Sequence, residues 1–183
     1  MPLSPDDTSS AQEPGEGARP GATNIGLGGA LRQAWVGYRR RLDAELAAAG
    51  FGDHGFPDGR VLRLCSKPGE TTISRIGREL GITRQGASKI VASLTERRYV
   101  TLTPSTADRR EKIVTLTPRA TDYLAAQWEA ARRIERELRT RTGDEAFDSL
   151  YHLLEALGGD EQPRMSDYLR SARSPTGPRH TGE

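Results

Sequence analysis

The sequence predicts a mainly α-helical fold with a small β-wing: a winged helix-turn-helix with N- and C-terminal dimerisation helices. Residues 72–96 contain two short amphipathic helical patterns with a glycine between them. Residues 99–117 contain two β-rich runs on either side of a polar turn. Longer amphipathic patterns flank this central part, at about 29–50 and 118–170. Helical periodicity followed directly by a β-hairpin is the order of elements in a winged helix, which we expect at about 57–117.

The two N-terminal helices are predicted at about Gly29–Ala49 and Pro57–Ser66. The first places apolar residues at helical spacing, and the glycine-rich run at residues 50–53 breaks it. Residues 1–28 are rich in Pro, Gly, Ser and acidic side chains, so we expect them to form a disordered tail, as we do residues 171–183. The apolar stripe of the first helix consists of Leu31, Trp35, Tyr38, Leu42 and Leu46.

The central helix pair begins with a helix predicted at Thr72–Leu80, whose apolar residues share one face. Gly81 suits the end of this helix, because glycine tolerates the left-handed conformation found there. Thr83 suits the N-cap of the second helix, because its hydroxyl can accept a free backbone N–H. The apolar stripe of that second helix consists of Ala87, Ile90, Val91 and Leu94.

The other face of the second helix carries side chains suited to reading duplex DNA. Guanidinium and amide groups can donate hydrogen bonds to base edges, while hydroxyl and ammonium groups bind phosphates. Short amphipathic helix pairs also occur in many enzymes, so this pattern alone leaves DNA binding open. The candidate contacts on this helix are Thr83, Arg84, Gln85, Ser88 and Lys89.

A predicted β-hairpin follows the helix pair directly, and the two together form the pattern of a winged helix. Tyr99–Thr103 and Lys112–Thr117 are rich in Val, Leu, Ile, Thr and Tyr and are predicted to be strands. The turn-forming tip between them carries Arg109 and Arg110, and Lys112 opens the second strand. An arginine on a wing suits the narrow minor groove. The two elements together predict a protein that binds double-stranded DNA.

Two further helices follow the wing. Pro118 suits the first turn of a long helix that breaks near Gly143, and a last helix is predicted from about Asp144. These helices carry more apolar surface than a small winged domain can cover, so we expect a homodimer. A two-fold dimer would place two recognition helices one helical turn of DNA apart and read a palindromic site. The alternative is an intramolecular helical core that leaves a monomer.

The charge of the chain is small overall and locally basic. The 183 residues have a formal net charge of +2, a pI near 8.9 and a mean hydropathy of −0.66. The cations of the winged helix favour site-specific binding over bulk coating of nucleic acid. No apolar run is long enough to span a bilayer, and the N-terminus lacks a signal-peptide pattern, so a cytoplasmic protein with no membrane partner is expected. The single cysteine, Cys65, excludes an intrachain disulfide.

The central residues closely resemble the MarR family of bacterial transcriptional regulators. The resemblance rests on the LGITRQ run at residues 80–85, the DRR wing tip at residues 108–110 and the LTP run at residues 116–118, and it covers about residues 31–157. It implies that Asp108 orients Arg110 toward the minor groove. It also implies a MarR-type domain over about 29–170 that acts as a repressor. The positions that it implies face the major groove are Arg84, Gln85, Ser88 and Lys89.

Gly86 departs from the resemblance, because alanine is commoner at that position of the recognition helix. A glycine there costs up to ~1 kcal/mol of helix stability. Either DNA approaches the backbone closely at Gly86 or the position is simply tolerated.

The resemblance also implies a crevice, between the dimerisation helices and the winged domain, for a small aromatic or amphipathic effector. For Trp35 and Tyr38, helix packing is the favoured interpretation. Cys65 is a candidate oxidation switch, but it ends an apolar helical stretch, which favours a buried, inert thiol. The candidate ligand contacts are Trp35, Tyr38, Arg39, His54 and Phe56.

Catalysis is not expected. The three histidines are scattered, and no metal-ligand pair, nucleophile motif or phosphate-binding loop is present, so neither a cofactor nor a metal is predicted. Two functions remain: a sequence-specific regulator, and a winged-helix architectural protein with little sequence preference and no effector. The latter would bind DNA with steep salt dependence and almost no discrimination. The donors of Arg84 and Gln85 favour the former.

Overall fold

The computed structural model describes residues 26–105, 108 and 110–159, and it has the predicted mainly α-helical architecture with a small β-wing. The chain divides into two units after Trp35, and the second unit contains the whole winged helix-turn-helix. The elements in chain order are α1 (Gly26–Ala48), α2 (Asp58–Cys65), α3 (Ile73–Leu80), α4 (Arg84–Glu96), β1 (Val100–Pro104), β2 (Lys112–Leu116), α5 (Pro118–Thr142) and α6 (Asp144–Gly158).

The boundaries differ from the sequence predictions by a few residues. Helix α1 begins at Gly26, so residues 26–28 are helical and do not belong to a disordered tail. Thr72 caps α3 instead of forming its first turn, and both strands shift or shorten by one residue. The rest of the predicted tails, residues 1–25 and 171–183, lies outside the described residues.

The turn between α3 and α4 has the predicted chemistry. Gly81 has φ 65°, the left-handed conformation that few residues other than glycine adopt readily. Thr83 caps α4, and its hydroxyl oxygen accepts the backbone N–H of Gly86 at 3.0 Å. A Cβ added at Gly77 would lie 3.2 Å from the Ile82 carbonyl oxygen, so this glycine lets α3 and the turn approach closely.

The wing is an antiparallel hairpin in which Val100 pairs with Leu116 and Pro104 pairs with Lys112. The hairpin is also tied to the segment that precedes α3, because Val114 donates its backbone N–H to the Thr71 carbonyl at 2.8 Å. The wing therefore has a fixed position relative to the helix pair.

The core lies between the C-terminal half of α1, α2, the helix pair, the hairpin and α5. Apolar side chains from each of these elements are buried, and hydrophobic burial of this kind is the main stabilising contribution to folding. The core residues include Leu46, Val61, Leu62, Ile76, Leu80, Val91, Leu94, Tyr99, Val100 and Tyr123.

The C-terminal helices keep much apolar surface exposed, as their sequence predicted. Helix α5 buries Tyr123 and Ile134 but leaves Trp128 60% exposed. Helix α6 buries no residue, although it carries an apolar stripe. The exposed apolar residues of α6 are Leu150, Tyr151, Leu153, Leu154 and Leu157.

A buried ion pair joins the end of the recognition helix to α2. Asp58 is 1% exposed, and its carboxylate accepts the backbone N–H of Gly55 and two N–H groups of Arg97. Arg97 also donates to the Asp53 and Ser93 carbonyl oxygens, so one guanidinium holds the interhelical loop, α2 and the last turn of α4.

We expect Asp58→Ala to lower the free energy of unfolding by about 3 kcal/mol, because it leaves the partly buried Arg97 guanidinium without its carboxylate partner. Urea denaturation of the purified protein measures the change. Asp148→Ala is the matched control, since Asp148 pairs with Arg139 at an exposed surface and such pairs contribute little. Equal losses for the two variants would contradict the role of the buried pair.

Candidate nucleic-acid interface

Helix α4 presents its predicted polar row to solvent. Thr83, Arg84, Gln85, Ser88 and Lys89 are all exposed. The opposite face packs into the core, where the buried residues are Ala87, Val91 and Leu94. The helix thus has the two faces that a recognition helix needs: one anchored in the domain and one available to a groove of DNA.

Gly86 has a local explanation in the helix cap. A Cβ at this position would lie 3.3 Å from the Thr83 hydroxyl oxygen, which is tighter than most contacts of this kind. The same hydroxyl accepts the Gly86 N–H. Glycine therefore leaves the capping hydrogen bond uncrowded, which offsets part of its intrinsic cost in a helix.

Recognition helix and wing meet at one groove of about 320 Å³. Four of the predicted DNA contacts line it: Arg84 and Ser88 from α4, and Arg110 and Lys112 from the wing. Gln85 and Lys89 are exposed on α4 outside this groove. Cations from separate parts of the sequence therefore converge beside the polar row, and this arrangement favours a polyanion.

The wing tip is held by a hydrogen bond to the backbone. The Asp108 carboxylate accepts the backbone N–H of Arg110 at 2.9 Å. The resemblance implied that Asp108 orients Arg110, and the bond between these residues fixes the chain direction at the tip. Arg110 is exposed, and Arg109 lies outside the described residues.

Glu111 is an interface residue that the sequence analysis missed. Its Oε1 lies 3.2 Å from an Arg84 guanidinium nitrogen and accepts the Ser74 hydroxyl at 2.7 Å. It therefore connects the wing to both helices of the pair. An acidic residue in a basic wing gives no pattern by which the sequence alone could assign it a partner.

Three of the candidate ligand contacts, Arg39, His54 and Phe56, lie in one region of the structure. The polar groups of Arg39 and His54 already have partners within the chain. The guanidinium carbon of Arg39 lies 5.1 Å from the centre of the Phe56 ring, and Arg39 pairs with Asp43 at 3.1 Å. His54 is 7% exposed, with Nε2 2.9 Å from Asp43 Oδ1 and Nδ1 2.7 Å from the Phe51 carbonyl oxygen. These contacts order the segment that follows α1.

The other two ligand candidates, Trp35 and Tyr38, lie on α1, as Arg39 does. Burial and the charge of Glu135 raise the pKa of Tyr38, which is half-buried against the core. Trp35 is partly exposed and belongs to the first unit of the chain. Packing thus accounts for Tyr38, as the sequence analysis allowed.

Asp53 connects the loop between α1 and α2 to the residues that follow the recognition helix and to α5. Its carboxylate accepts the Tyr99 hydroxyl at 2.8 Å and an Arg119 N–H at 3.0 Å. Burial acts to raise the pKa of Asp53, but the Tyr99 hydrogen bond and the Arg119 charge outweigh it and lower the pKa. Asp53 therefore joins the loop that carries His54 and Phe56 to residues at the base of the wing and at the start of α5.

Cys65 is a partly buried thiol at the end of α2. Burial raises the pKa of this thiol to about 11, although the charge of Arg75 acts in the opposite direction. The reactive thiolate is therefore scarce at neutral pH, which favours the inert interpretation of this cysteine.

Metal-ligand clusters and membrane spans are both lacking in the part of the chain that the structure describes. No three His, Cys, Asp or Glu side chains there are grouped so as to hold an ion. None of its helices combines the length and apolar character needed to cross a bilayer.

A capped recognition helix, a hairpin wing and a cationic groove between them define a DNA-binding winged helix-turn-helix. Residues 56–111 match the family model described as MarR family, so this part of the chain is similar to the winged-helix transcriptional regulators of that family. The members of this family are DNA-binding regulators and not enzymes. No curated protein sequence matches the chain.

Solved structures share the fold. YusO from Bacillus subtilis has a TM-score of 0.60 at 15% identity, covering 72% of this chain and 92% of that one. MarR from E. coli, in its apo form, has a TM-score of 0.55 at 18% identity, covering 72% and 96%. The transcriptional repressor CouR, bound to a 23-mer DNA duplex, has a TM-score of 0.58 at 26% identity, covering 73% and 92%.

We expect the folded protein to react slowly with iodoacetamide between pH 7 and 8, at least tenfold more slowly than the urea-unfolded chain. The thiolate is the reacting species, and the pKa of about 11 keeps Cys65 protonated in this range. Mass spectrometry of the alkylated protein over a pH series measures the rate. A rate that already levels off near pH 7 would contradict the raised pKa and favour an oxidative switch.

Proposed function

We propose that this regulator is a homodimeric repressor that binds a palindromic operator and is released by a small-molecule signal. The observation that carries the proposal is the groove where Arg84 and Ser88 of the recognition helix meet Arg110 and Lys112 of the wing. Such a site combines donors for base edges in the major groove with cations for the adjacent backbone or minor groove.

Each side chain has a distinct proposed role. Arg84 and Gln85 read base edges, because a guanidinium and an amide can each make two directed hydrogen bonds to one base. Ser88 and Lys89 bind phosphates, as does Thr83 at the N-terminus of the helix. The wing cations Arg109, Arg110 and Lys112 contact the minor groove and its backbone, with Asp108 holding the tip.

The homodimer is supported by the unburied stripe of α6. Five large apolar side chains on this helix are between 42% and 69% exposed, which is unusual for a monomer in water. A second copy packed on the same face would bury them in a two-fold interface. The symmetry would then place two recognition helices about 34–36 Å apart, in successive turns of the duplex.

Repression follows from occupancy, since a dimer across an operator blocks the same DNA from other proteins. CouR, a DNA-bound structure of the same fold, is itself a transcriptional repressor. The proposed effector is a small aromatic or amphipathic molecule near Arg39, His54 and Phe56. Ordering of this segment would act on the recognition helix through Asp53 and Asp58, whose partners include Tyr99 and Arg97. The pKa of Cys65 makes an oxidative signal the weaker form of the proposal.

Selection of DNA from a random duplex pool, at near-physiological salt, tests the function. We expect a two-fold symmetric motif with half-sites one helical turn apart. Retention of DNA with no enriched motif would instead favour an architectural protein with little specificity. Failure to retain any duplex would contradict the DNA-binding role of the groove. The enriched motif then serves for effector screening by displacement.

We expect Arg84→Ala and Gln85→Ala to reduce the preference for the selected motif by about 1–3 kcal/mol each, because each removes a directed base contact. Arg110→Ala is the contrasting variant, because it should weaken binding to the motif and to random duplex alike. It should also reduce the dependence of the DNA affinity on salt concentration. Titration of both duplexes at several salt concentrations measures these changes. Equal losses on both duplexes for Arg84→Ala and Gln85→Ala would contradict base reading.

We expect Leu154→Glu to give monomers and to weaken binding to the palindrome at least tenfold, because a charge would be buried in the α6 interface. Ala156→Glu is the matched control, since helical spacing places it on the opposite side of α6. Sedimentation velocity measures the oligomeric state. An unchanged sedimentation coefficient for Leu154→Glu would count against this face as the interface.

A further inference from the structure

Glu111 places a carboxylate in the middle of the cationic face. The residue stands between Arg110 and Lys112 in the wing, and its carboxylate contacts Arg84 and Ser74 of the helix pair. Its backbone is held on both sides, since its N–H donates to the Asp108 carbonyl and its carbonyl accepts the Ser105 N–H. The direction of the side chain is therefore set by the turn.

The carboxylate engages the proposed base-reading arginine. Glu111 Oε1 lies 3.2 Å from an Arg84 guanidinium nitrogen, and it also accepts the Ser74 hydroxyl at 2.7 Å. The Arg84 side chain is 61% exposed, whereas that of Glu111 is 19% exposed. The acid is thus the fixed end of the pair, and the arginine is the end that reaches solvent.

The second carboxylate oxygen of Glu111 can accept a further hydrogen bond from Arg84. Oε2 of Glu111 is buried and has no hydrogen-bond partner in the described part of the chain. A second guanidinium nitrogen would satisfy it in the two-point geometry that arginine forms with carboxylates. Arginine has five N–H donors, so such a pair leaves others directed outward.

We propose that Glu111 is a specificity-determining positioning residue, which holds the Arg84 guanidinium at one orientation for reading a base edge. The inference rests on the proposed function, in which Arg84 contacts DNA. Without the carboxylate, the long Arg84 side chain is able to swing to the nearest phosphate, and phosphates carry no sequence information. The pair thus converts a general cation into a directed donor.

The same carboxylate opposes binding to DNA in general. A negative charge beside Arg84, Arg110 and Lys112 partly cancels their attraction for phosphates, and it does so on every sequence. Positioning and charge therefore act with opposite signs. Loss of Glu111 should raise affinity for random duplex while it lowers discrimination, a combination that a purely structural residue would not give.

Glu111→Gln tests the proposal, because it keeps the size of the side chain and removes its charge. Titrations compare the motif that the wild-type protein selects with a scrambled duplex of equal length, at one salt concentration. We expect affinity for the scrambled duplex to rise two- to fivefold and the motif-to-scrambled ratio to fall about tenfold. An unchanged or increased ratio would overturn the proposal.

Glu111→Asp separates reach from charge. The shorter side chain keeps the negative charge but should lose the Arg84 contact, so we expect a lower ratio without a gain in affinity for scrambled duplex. If this variant behaves as the wild type, charge alone matters and positioning is wrong. Ser74→Ala is the control for packing: it removes the other partner of Glu111 and should leave the ratio unchanged. A ratio that falls as far as with Glu111→Gln would assign the effect to anchoring of the wing.

Coupling to Arg84 gives the decisive comparison. In an Arg84→Ala background, Glu111→Gln should change both affinities by the same factor, because no guanidinium remains to be positioned. A tenfold fall in the ratio in that background would overturn the proposal. The two levels of inference are also distinguishable. If the wild-type protein selects no motif, the proposed function fails. If it selects a motif, and Arg84→Ala lowers the motif-to-scrambled ratio but Glu111→Gln does not, only the positioning role of Glu111 fails.

Discussion

The side chain of Arg97 joins the parts of the winged domain that must keep a fixed relation. It leaves the last turn of the recognition helix and donates to the buried Asp58 carboxylate at the start of α2 and to the Asp53 carbonyl in the preceding loop. Loss of one partner of a buried ion pair strongly destabilises a protein, so separating α2 from α4 would require a large free energy. The direction of α4, and with it the exposed polar row, depends on this contact.

The DNA-binding face combines opposing electrostatic requirements. Cations from α4 and the wing attract phosphates regardless of sequence, whereas discrimination needs side chains with few available orientations. The Asp108 carboxylate accepts the backbone N–H of Arg110, and the Glu111 carboxylate forms an ion pair with Arg84. Both contacts restrict that freedom, and both add negative charge to the face. Two acidic residues placed among basic ones thus make contacts that order this face.

The segment after α1 links a candidate effector region to the recognition helix through short polar contacts. His54 and Phe56 lie in this segment, with Phe56 beside Arg39 of α1, while Asp53 contacts Tyr99 and Arg119. The charged side chain of Asp53 is paired with Arg119, and His54 contacts Asp43. A family fold does not fix which molecule a site accepts, since sites on a shared fold vary freely.

Local patterns in the sequence determined the helices, the caps at Thr83 and Gly81, the hairpin and the polar row of α4, because these depend on neighbours within a few residues. They also indicated that α6 has an apolar face with no cover of its own. Only the tertiary structure decided that Arg97 pairs with Asp58, that Glu111 holds Arg84, and that Cys65 has a raised pKa. Each of these depends on atoms brought together from distant parts of the chain, and burial and charge pairing have no signature in local spacing.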